Sequence, residues 1–93
     1  MSPKARGRLN ELRSMEVLEA AGYYCVRSHL SEGLFDVIGI SSTDVVLVQV
    51  KARDWVCGAE LEALRMFQAP PNCRKLMHRY PPYKRDPEVK EIA

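Results

Sequence analysis

Asp36 and the triplet Gln49-Val50-Lys51 are the residues of this 93-residue chain whose types and spacing could carry chemistry. Asp36 leads into the apolar run Val37-Ile38-Gly39-Ile40. After the polar turn Ser41-Ser42-Thr43-Asp44, a second apolar run, Val45-Val46-Leu47-Val48, ends in Gln49-Val50-Lys51. At the two-residue period of a strand, Gln49 and Lys51 point to the same face. A strand packed against a core gains nothing from a lysine in its register. An acid, an amide and a lysine brought to one point by neighbouring strands can instead hold a hard cation and neutralise a phosphate. That is the equipment of metal-dependent phosphodiester hydrolysis.

The elements that must deliver these side chains are legible from periodicity. Leu9, Leu12, Met15 and Leu18 recur every three residues and predict a helix over 8–21, stopped by Gly22 at a position suited to positive φ. Residues 1–7 read as a flexible basic lead-in. Strands are expected at 23–27, 35–40 and 45–51, with 41–44 as the hairpin loop. The run 45–48, apolar on both faces, marks a central strand covered on both sides. A second helix is predicted over 58–68 with Leu61, Leu64 and Phe67 on one stripe, ended by Pro70-Pro71-Asn72. A fourth strand follows at 73–79, then a proline-rich loop and a short edge element at 89–92. The expected architecture is a single α/β domain over 1–93, with an α-β-β-β-α-β core and a mixed sheet flanked by helices.

Bulk properties restrict the function classes. The longest apolar stretch is too short for a membrane span, no apolar segment follows the basic start, and a cytoplasmic protein is expected. Cys25, Cys57 and Cys73 form no C-x-x-C pair, so a cysteine zinc site is not expected, and reduced thiols are. The net charge of +2 is unevenly spread: residues 1–13 and 74–93 carry +3 each and the middle carries −4. Basic ends around an acidic centre suit a polyanion gripped at its edges with a cation between.

With Arg6-Gly7, a helical glutamate at Glu11, Gly22-Tyr23, Arg27-Ser28, Ser31, Asp36 and Gln49-Val50-Lys51 in this order, the chain resembles the PD-(D/E)xK nuclease superfamily. Within it, the chain is most similar to the archaeal-type Holliday junction resolvases. The resemblance spans about residues 6–53. It implies a restriction-endonuclease-like fold and a Mg²⁺-dependent endodeoxyribonuclease, with Mn²⁺ able to substitute, acting on branched or junction DNA as a homodimer. Carried over residue by residue, it makes Asp36 the principal metal ligand, joined by Gln49 Oε1 and the Val50 carbonyl, and Lys51 the group that orients water or offsets charge at the phosphate. Glu11 holds a metal-bound water or a second cation, Ser31 bonds the phosphate, and Arg6, Arg8 and Arg27 contact the DNA backbone. Gln49 departs from the pattern, which has glutamate there: an amide oxygen can still ligate a hard cation but brings no charge.

Other readings stand beside this one. Glu16 and Glu19 compete with Glu11 for the helical role. His29 and His78 are expected to be a solvent and a structural histidine, and Trp55 either caps the core or stacks on a base. A catalytically degenerate nucleic-acid binder, with Gln49 as the trace of a lost site, is the alternative function. A plain interaction module whose polar strand residues satisfy one another is a third.

Overall fold

Val45–Val48 occupies the middle of a five-stranded sheet because its side chains are apolar in both directions. The computed structural model describes residues 3–28 and 34–92, with side chains from residue 6 onward. Its elements are α1 (Pro3–Ala20), β1 (Tyr24–Arg27), β2 (Val37–Ile40), β3 (Val45–Lys51), α2 (Gly58–Met66), β4 (Cys73–Arg79) and β5 (Glu88–Ile92). The strands lie in chain order. β1–β2, β2–β3 and β4–β5 pair antiparallel, whereas β3 and β4 pair parallel. The parallel pair requires a crossover, which α2 supplies. Val46 and Val48 enter one cluster with Leu18, Val37 and Leu76, while Leu47 enters the other with Phe35, Val56, Leu64, Met77 and Ile92. The fold class is therefore as expected, with the edge element at 88–92 a full fifth strand.

α1 differs from its prediction in two ways. It starts at Pro3, so residues 3–7 of the expected lead-in are helical; proline fits the first helical turn, where its missing N–H has no partner to lose. Its buried stripe also coincides only in part with the predicted apolar one, at Leu18 and the partly buried Met15. Leu12 is 42% exposed, and the residues facing the sheet are Asn10, Ser14 and Leu18, spaced by four. Ser14 can occupy that stripe because His78 of β4 and Tyr80, just beyond it, offer polar partners. Ser14 Oγ lies 2.8 Å from His78 Nδ1 and 2.8 Å from the Tyr80 hydroxyl, and both Ser14 and His78 are fully enclosed. Burial pulls the His78 pKa down to about 4, so the ring is neutral and the triad is an uncharged hydrogen-bonded lock. His78 is structural, as expected.

The C-terminal ends of both helices are closed locally. Gly22 adopts φ +96°, and Tyr23 N–H returns to the Leu18 carbonyl. α2 stops at Met66, two residues before its predicted end, and Lys75 Nζ from β4 donates to the carbonyls of Leu64, Arg65 and Phe67 at 2.8, 2.9 and 2.7 Å. An ammonium there meets both the unpaired carbonyls and the negative end of the helix dipole. Among the described residues no helix is long and apolar enough to cross a membrane.

Gly39 is where α1 comes closest to the sheet. A Cβ at this position would lie 2.8 Å from Val46 Cγ2, 3.2 Å from Tyr23 Cβ and 3.3 Å from Leu18 Cδ1. Gly39→Ala is therefore expected to lower unfolding stability by about 1–3 kcal/mol through overpacking, read as a drop in the urea midpoint at unchanged slope.

Candidate functional site

The sheet forks at Asp36. β2 and β3 pair in regular register up to Val37 and Val48, whereas β3 and β4 remain paired to Lys51 and Arg79. Beyond them Tyr80 N–H donates to the Lys51 carbonyl at 2.8 Å. At the fork, Asp36 N–H donates to the Val48 carbonyl and Ser28 N–H to the Asp36 carbonyl, both at 2.8 Å. The Val50 N–H, past the end of the β2–β3 register, donates instead to Asp36 Oδ2 at 2.9 Å. Backbone bonds thus fix the Asp36 main chain on both sides, and its side chain completes the ladder of β3.

Asp36 is buried, and burial raises its carboxyl above the usual range, against the lowering influence of the Val50 N–H and of Lys51; the charge of Glu60 adds to the rise. Glu11 responds to the same centre. Burial and then the charge of Asp36 raise it, while Arg27, 3.5 Å away, opposes them. Glu16 and Glu19 are exposed, with Glu16 beside Arg85 at 3.9 Å, so Glu11 is the helical acid whose charge reaches Asp36. Desolvation outweighs the opposing charges of Arg27 at Glu11 and of Lys51 at Asp36.

Glu60, in the first turn of α2, is the residue that sequence reading passed over. Gln49 Nε2 donates to Glu60 Oε1 at 3.2 Å, and Lys51 Nζ lies 3.0 Å from Oε1 and 3.3 Å from Oε2. In sequence Glu60 looks like an ordinary solvated helix residue. The available signal was topological: a helix that begins seven residues after β3 sets its first turn beside the end of β3. With its amide nitrogen held by Glu60, the Gln49 side chain leaves Oε1 buried and without a hydrogen-bond partner among the described residues.

The other expected site residues divide. Arg6 and Lys51 line a cavity of about 770 Å³ together with Arg53, Trp55, Cys57 and Glu60. Arg8 is exposed. Arg27 is committed to Glu11. Val50 contributes its N–H to Asp36. Ser31, with His29, lies outside the described residues.

No three His, Cys, Asp or Glu side chains among the described residues converge as a metal cluster. A hard cation at the fork has to recruit neutral oxygens, and the unpartnered Gln49 Oε1 and the raised Asp36 carboxyl suit it: one lacks a donor, the other is desolvated. The residues present therefore fit such an ion through Asp36 and an amide oxygen.

Among solved structures, the chain is similar to Hjc, a Holliday junction resolvase from the archaeal hyperthermophile Archaeoglobus fulgidus. The TM-score is 0.72 at 17% sequence identity, over 94% of this chain and 73% of that one. The shared property is the fold: a mixed sheet flanked by helices. No family model and no curated protein matches the chain.

A raised carboxyl pKa stabilises the folded state below the unfolded value, and that contribution is lost as pH rises through the folded one. At neutral pH the Asp36 charge therefore costs stability when no cation is present. Asp36→Asn, which keeps an oxygen for the Val50 N–H, is expected to raise the melting temperature in EDTA at pH 7 by several degrees, the response of a domain this size to about 1 kcal/mol. The gain should shrink at pH 4, as scanning calorimetry at the two values would show.

Proposed function

We propose that this chain is a divalent-metal-dependent endodeoxyribonuclease that hydrolyses phosphodiester bonds in branched or junction DNA. The observation that carries the reading is the buried, unpartnered Gln49 Oε1 on the same strand end as Lys51, where the desolvated carboxylate of Asp36 accepts from the intervening Val50 N–H. The likeness in fold to a Holliday junction resolvase supports the substrate class, as do the basic ends of the chain.

Asp36, Gln49 Oε1 and the Val50 carbonyl would hold Mg²⁺ or Mn²⁺, which when bound supplies Lewis-acid polarisation of the phosphate and a water of lowered pKa. The chain's own residues do the rest. Lys51, at the cavity wall and tethered to Glu60, exchanges that carboxylate for a phosphate oxygen when DNA docks and offsets the charge that builds there. Glu60 keeps the Gln49 amide turned with its oxygen toward the cation position and contributes the negative charge that the amide lacks. Glu11, held by Arg27, stands as the second acid on the helical side of Asp36. Arg6 and Arg8 meet backbone phosphates. A two-fold homodimer acting on cytoplasmic DNA would present two such sites to opposite strands of a junction.

The Gln49 substitution and the lack of a three-acid cluster among the described residues favour a second reading, a binder of branched DNA without cleavage. Cleavage of a labelled four-way junction and a matched duplex in Mg²⁺ or Mn²⁺ tests the two. Nuclease activity should vanish in Asp36→Ala and fall by about 10²–10³-fold in Lys51→Ala; salt-dependent junction binding with no cutting by the wild type would select the binder.

The Glu60 contact gives a separate expectation. Gln49→Glu alone sets two carboxylates where an amide and a carboxylate now lie 3.2 Å apart, so it should improve Mn²⁺ affinity little. Combined with Glu60→Gln, which restores a donor–acceptor pair, the same change should bind Mn²⁺ more tightly than Gln49→Glu alone, as read by electron paramagnetic resonance of free Mn²⁺.

A further inference from the structure

The cavity beside Lys51 has a construction that metal and phosphate chemistry does not require. At about 770 Å³, it falls within the roughly 300–1,000 Å³ range of small-molecule pockets. It is lined by Trp55, by the cations Lys51, Arg6 and Arg53, and by the carboxylates Asp54 and Glu60. Trp55 is the chain's one tryptophan, half-buried and packed against the core cluster of Leu47, Val56 and Leu64. Its indole is also engaged by two cations, Lys90 Nζ at 4.5 Å and the Arg79 guanidinium at 5.6 Å from the ring centre. Arg79 is itself anchored: its Nε donates to the Arg53 carbonyl at 2.8 Å, and it pairs with Glu88 at 3.1 Å. The indole is thus held by packing on the core and by cations drawn from β4 and β5. A rigid aromatic wall loses little entropy when a flat ligand settles on it.

From this geometry we infer a subsite for a single unpaired nucleotide, its base taking the place of the exposed Lys90 ammonium over the Trp55 indole and its flanking phosphates toward Arg6, Arg53 and Lys51. Lys51 belongs to both the cavity and the proposed cleavage site, so the nucleotide held here is the immediate neighbour of the phosphodiester to be cut. A base inside a duplex cannot enter a pocket of this kind without leaving its stack, so occupancy favours DNA whose strand is unpaired or easily unstacked at that position. The inference rests on the nuclease reading and adds a physical source for preference toward branched DNA.

The single tryptophan makes the test direct. In EDTA, an oligothymidylate of about eight nucleotides and an abasic sugar–phosphate oligomer of equal length would be titrated into the full chain. Binding would be read by anisotropy of a label on the oligomer and Trp55 occupancy by intrinsic fluorescence. The thymidylate is expected to change Trp55 emission and to bind at least about fivefold more tightly than the abasic chain, the lower end of what one base–aromatic contact provides. Trp55→Leu should reduce its affinity to the abasic level, while Trp55→Phe retains part of the difference. Equal binding of both oligomers with unchanged Trp55 emission would overturn the subsite and leave the nuclease reading standing. Binding of neither oligomer, nor of a four-way junction, would overturn that reading together with the inference built on it.

Discussion

The hydrogen bond from the Val50 N–H to Asp36 Oδ2 is the interaction on which the rest of the site depends. Where β2 stops following β3, one strand edge would be left with an unanswered donor inside the protein, at a cost comparable to a lost hydrogen bond. Asp36 answers it with a carboxylate, which places a negative charge at the fork and beneath the ends of two strands. The fork itself follows from the different lengths of the pairings. β2 is a four-residue strand joined to β3 by a tight turn, whereas β3 and β4 run parallel for seven residues. The same length difference exposes Lys51 beyond the β2–β3 ladder, where it lines the cavity.

Burial is the first cause that raises the carboxyls of Asp36 and Glu11, and Arg27 and Lys51 only partly offset it. Desolvating two acids in this way has a structural cost. Gln49 fits this balance. A third carboxylate on the strand would stand against Glu60, whereas an amide donates to Glu60 and still offers an oxygen inward. In this arrangement α2 supplies the charge and β3 the oxygen that a single glutamate would combine.

Elsewhere the chain relies on polar contacts in unusual places. α1 lies on the sheet through Asn10 and Ser14 as well as Leu18, and Ser14 is joined to His78 and Tyr80 in an enclosed uncharged triad. Such a lock is directional, so it sets the rotation of α1 about its axis more sharply than apolar packing would. That rotation turns Glu11 toward Arg27 and Asp36 and leaves Leu12 exposed to solvent.

The sequence by itself determined the strand pair and the polar residues set at its end. A doubly apolar run followed by Gln49-Val50-Lys51, a four-residue polar turn and an aspartate before the preceding strand are local patterns of period two, and they require no knowledge of distant contacts. The same locality gave Gly22 as a helix stop, β4, and Glu11 as a helical acid. Only the tertiary structure decided what surrounds them. The buried stripe of α1 depends in part on partners more than sixty residues away, so a period-three apolar pattern held for Met15 and Leu18 but missed Asn10 and Ser14 and misplaced Leu12. Glu60 acquires its meaning from the return of α2 over the end of β3, and Trp55 from cations supplied by β4 and β5. Electrostatic and hydrogen-bond partners are chosen by distance in space, and the sequence sets distance directly only along the chain.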